Sequence, residues 1–126
     1  MLKKVDNVGR AEFLAALKRS GKSRNKYNAK RVFLDGRWYD SIREAEVSCD
    51  LSNKMRAGQI AAIEYQPTFE LIPKPNRITY RADFRVKYPD GHVEIIDVKG
   101  VETDVFKIKA KMFRHFFPDL TLVIYK

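Results

Sequence analysis

Apolar residues recur every three to four positions in three stretches of the chain and alternate with polar ones in several others, so helices and strands can be placed from pattern alone. Residues 9–19 (GRAEFLAALKR) put Phe13, Leu14 and Leu17 on one side of a short helix. Residues 20–30 (SGKSRNKYNAK) are polar and aperiodic, which predicts a loop or arm. Val32–Leu34 and Arg37–Tyr39 flank Asp35-Gly36, a hairpin signal. Asp40-Ser41 then offers a helix N-cap, and Glu44 stands three residues after Ser41, as in a capping box; Gly58 stops that helix after about Ala57. Residues 60–72 are β-prone and broken by Pro67. Residues 78–88 and 92–99 are two strands around Pro89-Asp90-Gly91. Thr103-Asp104 caps a second long helix, 105–117, closed by Pro118, and Leu120–Tyr125 is a final strand. A right-handed crossover through the 105–117 helix places the last strand parallel to 92–99. The expected class is α/β, helices on a small mixed sheet, with residues 1–30 as an N-terminal helix and arm and 31–126 as the domain proper.

The two strands around Pro89-Asp90-Gly91 carry the chemistry. In 80–88, Tyr80, Ala82, Phe84, Val86 and Tyr88 alternate with Arg81, Asp83, Arg85 and Lys87. In 93–99, Asp97 and Lys99 share a face. A three-residue turn pairs Tyr88 with His92, which puts Asp83 opposite Asp97 and Arg81 opposite Lys99. Cross-strand neighbours lie roughly 4.5–5.5 Å apart. Carboxylates that close repel unless a cation bridges them, and a hard divalent ion with oxygen ligands, Mg²⁺ beside phosphates, meets that need. In such a site the Val98 carbonyl adds an oxygen. Lys99 orients the attacking water and balances phosphate charge. A helical wheel sets Glu44 in the stripe of Val47, Leu51 and Met55. There it either caps its own helix or points at something buried and positive.

Charge enlarges the picture. The 126 residues hold 25 Lys+Arg against 16 Asp+Glu, net +9, which points to a polyanionic partner. Residues 1–30 hold nine basic and two acidic residues, 105–126 five and one, and 31–104 eleven and thirteen. Basic ends thus flank an acidic centre. The single cysteine, Cys49, excludes an internal disulfide framework and a cysteine zinc site, and His92 and His115 are too few for a histidine metal site. No apolar run reaches the ~18–20 residues of a membrane span, and the N-terminus has no signal-peptide stretch, so a soluble protein with no membrane partner is expected.

These residues resemble the PD-(D/E)xK nuclease superfamily. Asp83 matches its first acidic position, here after Ala82 rather than Pro; Asp97-Val98-Lys99 matches D-x-K; Glu44 matches the helix glutamate many members carry upstream. More narrowly, residues 26–124 resemble a small phage-encoded, endonuclease-like family of unknown function, through KYNAKRVFLDGRWYDSIREAE, EYQPTFEL, ITYRADF, IIDVKG and FKIKAKMFRHFFPDL. The resemblance implies a restriction-endonuclease-like αβββαβ core with a mixed four-stranded sheet. It implies Mg²⁺, with Mn²⁺ able to substitute, and DNA as substrate. Some superfamily relatives of this size cut branched DNA as dimers, which suggests structure-selective cleavage in phage DNA processing or recombination, in the host-cell cytoplasm.

The site expected on these grounds has Glu44, Asp83, Asp97 and Lys99 as catalytic residues and Glu44, Asp83, Asp97 and the Val98 carbonyl on the metal. The basic arm (Arg24, Lys26, Lys30) and the second long helix (Lys107, Lys111, Arg114) grip the DNA backbone. Lys109 lies in that helix's apolar stripe (Val105, Ile108, Met112, Phe116) and either contacts phosphate or snorkels from the core edge. Arg81 and Arg85 pair with the acids or with phosphate. Gln66 either lines the site or hydrogen-bonds in a turn. Tyr27 and Trp38 are the aromatics best placed for surface contacts, and Cys49 is a small core residue. Two rival readings remain: a nucleic-acid-binding protein on a nuclease fold that does not cut, and a protein-interaction module.

Overall fold

The computed structural model describes residues 31–126, so the expected 9–19 helix and 20–30 arm lie outside the described residues. The chain divides into two compact units, with the boundary between Ala57 and Gly58, inside the segment read from sequence as one domain.

The first unit is a hairpin and a helix. Strands β1 (Val32–Leu34) and β2 (Arg37–Tyr39) pair antiparallel. Asp35 (φ 55) and Gly36 (φ 83) are both left-handed, the turn whose twist matches that of the flanking strands. Val32, Leu34 and Tyr39 are buried, and Phe33 and Trp38, opposite one another, are exposed. Helix α1 (Ile42–Arg56) starts as expected: Ser41 Oγ accepts from Glu44 N–H at 3.0 Å, and Glu44 Oε1 accepts from Asp40 N–H at 2.9 Å. Its buried side is Glu44, Ala45, Val47, Ser48 and Leu51; Met55, expected in that stripe, is exposed, and Cys49 is half-buried. A 2.8 Å hydrogen bond between the Tyr39 hydroxyl and Ser48 Oγ ties hairpin to helix.

The second unit is built on a mixed four-stranded sheet in the order β3 (Ala62–Tyr65), β6 (Phe84–Lys87), β7 (Val93–Val98), β8 (Thr121–Tyr125). The first two pairings are antiparallel and the last is parallel. The parallel pairing comes from the expected crossover through helix α2 (Asp104–Phe116), capped by Thr103 Oγ accepting from Phe106 N–H at 3.1 Å. The β6–β7 turn has the expected length: Tyr88 N–H donates to His92 O and Gly91 N–H to Tyr88 O, both at 2.9 Å.

A pair of strands, β4 (Thr68–Ile72) and β5 (Ile78–Arg81), forms its own antiparallel ribbon. The uninterrupted 78–88 strand expected from sequence is therefore two strands. The ribbon nonetheless continues the β3–β6 pairing in one register, from Ala62 opposite Lys87 to Glu70 opposite Thr79. Two bonds bridge the gap, Gln66 N–H to Asp83 O at 2.9 Å and Ala82 N–H to Pro67 O at 3.1 Å. The break is conformational: Gln66 is left-handed (φ 54), a geometry that bends a strand and that few non-glycine residues adopt.

Past the bend the side chains change sides. Tyr80 and Ala82 join Ile95, Leu122 and the α2 residues Phe106, Ala110 and Phe113 in one core, together with Phe69 and Leu71 of β4. Phe84 stands opposite Ile96 and, with Val86, is fully buried outside that core. The alternation that put Tyr80, Ala82, Phe84 and Val86 on a single face does not hold. Helix α2 is also rotated from expectation. Its packed stripe is Phe106, Ala110 and Phe113, while Val105, Ile108 and Phe116 are exposed. Edge-to-face contacts of Phe113 with Phe69 (4.9 Å) and Tyr80 (5.6 Å) explain the choice: the aromatic side makes the larger apolar contact. Among the described residues, no helix is long and apolar enough to cross a membrane.

Candidate functional site

The bend that splits the long ribbon also places its acid. Asp83 N–H donates to Ile96 O at 3.0 Å, although Ile96 is already paired with Phe84. Two residues facing one is a bulge, a local device that re-aims a side chain. The Asp83 carboxylate turns toward the end of β7, where Oδ2 accepts from Val98 N–H at 2.7 Å. There its charge bears on the carboxyl of Asp97, which it pushes up. Asp83 thus reaches the residue next to Asp97 at the end of β7, through a bulge rather than a regular cross-strand pair.

Asp97 is 2% exposed, unusual for an ionisable side chain, and each of its oxygens has a partner. Oδ2 accepts from the Tyr80 hydroxyl, and Lys99 Nζ lies 3.6 Å from Oδ1. Burial pushes the Asp97 carboxyl up, to about 6; the Tyr80 hydrogen bond and the Lys99 charge pull it down, and the charge of Asp83 pushes it up. Burial, then the bond to Asp97, raises Tyr80 far above the ordinary phenol range, so its hydroxyl remains a donor. Lys99 is held from two further sides, its N–H donating to Tyr125 O at 2.9 Å and its ammonium lying 4.9 Å from the Phe106 ring centroid.

Tyr80 is the site residue the sequence reading missed. Strict alternation assigned it to the side away from Asp83, and only the bulge brings it to Asp97. The expectation that Arg81 faces Lys99 is likewise overturned: Arg81 is exposed and stands opposite Thr68, because its strand has left the sheet for the ribbon. Arg85 is opposite Glu64 in the β3–β6 ladder. Gln66 forms the bend by its backbone, and its side chain is exposed.

Glu44 belongs to the other unit, where it is buried and its Oε1 serves as a cap at the start of α1. Among the described residues, no three His, Cys, Asp or Glu side chains form a group spaced to hold a metal ion. What the second unit offers is two carboxylates at the end of β7, one of them buried with a lysine beside it. Oxygen-only donors carrying two negative charges suit a hard cation such as Mg²⁺.

On α2, Lys107, Lys111 and Arg114 are exposed and Lys109 is half-buried. The charge of Arg114 reaches Tyr80, whose phenol it pulls down against the larger effects of burial and Asp97. Arg24, Lys26 and Lys30 lie outside the described residues.

No curated protein and no solved structure matches the chain. Residues 24–126 match a family model described as Protein of unknown function (DUF1064), and the chain belongs to that family.

Proposed function

We propose that the protein is a metal-dependent DNA endonuclease that hydrolyses phosphodiester bonds, with a PD-(D/E)xK-type site on a restriction-endonuclease-like core. The observation that carries the reading is the placement of two carboxyls at the end of β7, Asp83 with Oδ2 accepting from Val98 N–H at 2.7 Å and the buried Asp97 with Lys99 Nζ 3.6 Å from its Oδ1. The helix, antiparallel strands and final β7–α2–β8 crossover agree with the chain order such a core requires. Asp83 and Asp97 would hold Mg²⁺ or Mn²⁺, with the Val98 carbonyl as a further oxygen. A bound ion supplies Lewis acidity and makes a water acidic enough to attack phosphorus at neutral pH. The chain's own groups do the rest. The Tyr80 hydroxyl and Val98 N–H fix the two carboxylates in place, and the Lys99 ammonium orients the attacking water and offsets charge gained by the phosphate. Glu44 enters as a ligand only by resemblance. The net charge of +9, with Lys107, Lys111 and Arg114 exposed on α2, favours a polyanionic backbone as the thing held.

The test is cleavage of linear, flapped and four-way-junction DNA with Mg²⁺, with Mn²⁺ and with chelator. The parent cuts only with metal; Asp83→Ala and Asp97→Ala bind the same DNA and do not cut. Equal cutting by both variants and the parent would overturn the assignment.

A further inference from the structure

We infer that the β1–β2 hairpin is a stacking platform for unpaired nucleobases, so that the protein engages single-stranded or branched DNA in preference to continuous duplex. The inference rests on the nuclease reading for DNA as the polymer and extends it to the form of DNA that is held.

The hairpin divides its side chains by face. Val32, Leu34 and Tyr39 are buried, and Tyr39 is pinned to α1 through Ser48. On the other face Phe33 and Trp38 stand directly opposite each other, 39% and 49% exposed, their rings edge to face with centroids 5.2 Å apart. Two large aromatic side chains held side by side, each more than a third exposed, are the kind of apolar pair that marks a binding surface. The guanidinium of Arg31 lies over Trp38, 5.0 Å from the ring centroid, and is itself steadied by Asp40 at 3.9 Å. The result is an aromatic surface with a guanidinium over one of its rings.

The charge decides the occupant. Arg31 directly follows a segment with nine basic and two acidic residues, within a chain of net charge +9. A polyanion is drawn there, and among polyanions nucleic acid alone adds flat π-faces. In continuous duplex those faces are consumed by base stacking. They are available in single strands, flaps and branch points, where aromatic residues and arginine bind bases with little sequence preference.

Trp38 is the chain's single tryptophan, so fluorescence excited selectively at tryptophan reports on this hairpin alone. The full-length protein, in chelator to prevent cutting, is titrated with a short oligothymidylate, a flapped duplex and a blunt duplex, following fluorescence together with the anisotropy of labelled DNA. Single-stranded and flapped DNA should quench Trp38, and blunt duplex should not. Trp38→Ala should weaken single-strand binding roughly tenfold, and Arg31→Gln should weaken it less. Both variants should keep duplex binding and the parent's circular dichroism. Binding without quenching, equal quenching by blunt duplex, or unchanged single-strand affinity in Trp38→Ala overturns the platform. The cutting assay on Asp83 and Asp97 variants is independent of these readouts. Metal-dependent cutting with a silent Trp38 defeats the platform alone, whereas absence of binding to every DNA defeats both readings.

Discussion

The Tyr80 hydroxyl donates to Asp97 Oδ2, joining residues seventeen apart across the bulge at Asp83. The bond links the outer ribbon to the centre of the sheet and holds one oxygen of a buried carboxylate whose other oxygen faces Lys99. Tyr80→Phe keeps the ring contacts with Phe113 and Phe69 and removes only the donor. Leaving a buried charged acceptor short of a partner costs about 1–3 kcal/mol. The loss should appear as a lower urea midpoint with an unchanged slope. Because the bond lowers the Asp97 pKa, its removal should move the carboxyl titration of the metal-free protein to higher pH, as read by NMR.

Asp97 itself should be a stability liability without metal. Its carboxyl is raised from 3.8 to about 6 on folding, so the folded state holds the proton more tightly than the unfolded chain. The corresponding stability is full below about pH 4 and is lost as pH rises through about 6. A shift of some two units amounts to roughly 3 kcal/mol. Asp97→Asn should therefore be more stable than the parent in chelator at neutral pH, with a flatter stability profile between about pH 4 and 6. Mg²⁺ should raise the melting temperature of the parent and leave that of Asp97→Asn unchanged. A less stable Asp97→Asn protein at neutral pH would contradict the raised carboxyl.

Lys99 touches both Asp97 and the Phe106 ring, so its loss should affect charge and packing unequally. Lys99→Met retains the aliphatic contact and removes the ammonium. Cleavage should drop about 10²–10³-fold, the usual cost of one preorganised charge aimed at the reacting group. DNA affinity should change little in an anisotropy titration.

Glu44 can be assigned by separating its two readings. Glu44→Gln retains an oxygen able to accept from Asp40 N–H, so the melting temperature should be near that of the parent. Glu44→Ala removes the cap and should cost about 1 kcal/mol. Cutting assays on the Gln variant then decide its second role: lost cleavage at unchanged stability would make Glu44 a metal ligand.

Much of this architecture is legible in local chemistry. Asp35-Gly36, Ser41 with Glu44, Thr103 and Pro89-Asp90-Gly91 each specify a turn or cap from a few adjacent residues, and all of them lie where the sequence puts them. The pairing from Lys87 with Val93 to Phe84 with Ile96 is legible for the same reason, since a short turn carries its register along the strands. The bend is not. Tyr80 to Tyr88 alternates without a flaw in polarity, and the signal for the break lies in the backbone of Gln66, on the neighbouring strand. The face of α2 is ambiguous for another reason. The helix is apolar around a wide arc, with Phe106, Ala110 and Phe113 on one flank and Val105, Ile108 and Phe116 on the other. Periodicity gives both stripes, and only the shape of the aromatic core selects between them.

The single register that runs from β3–β6 into β4–β5 has a consequence for how the protein can change over time. Asp83 sits at the root of a ribbon whose tip, residues 73–77, is separated from it by the paired strands β4 and β5. Insertions or deletions at the tip alter reach and surface without disturbing the root, because the bonds at Gln66 and Ala82 lock it independently. The outer ribbon is thus the part of this molecule in which new length can accumulate while the chemistry stays in place.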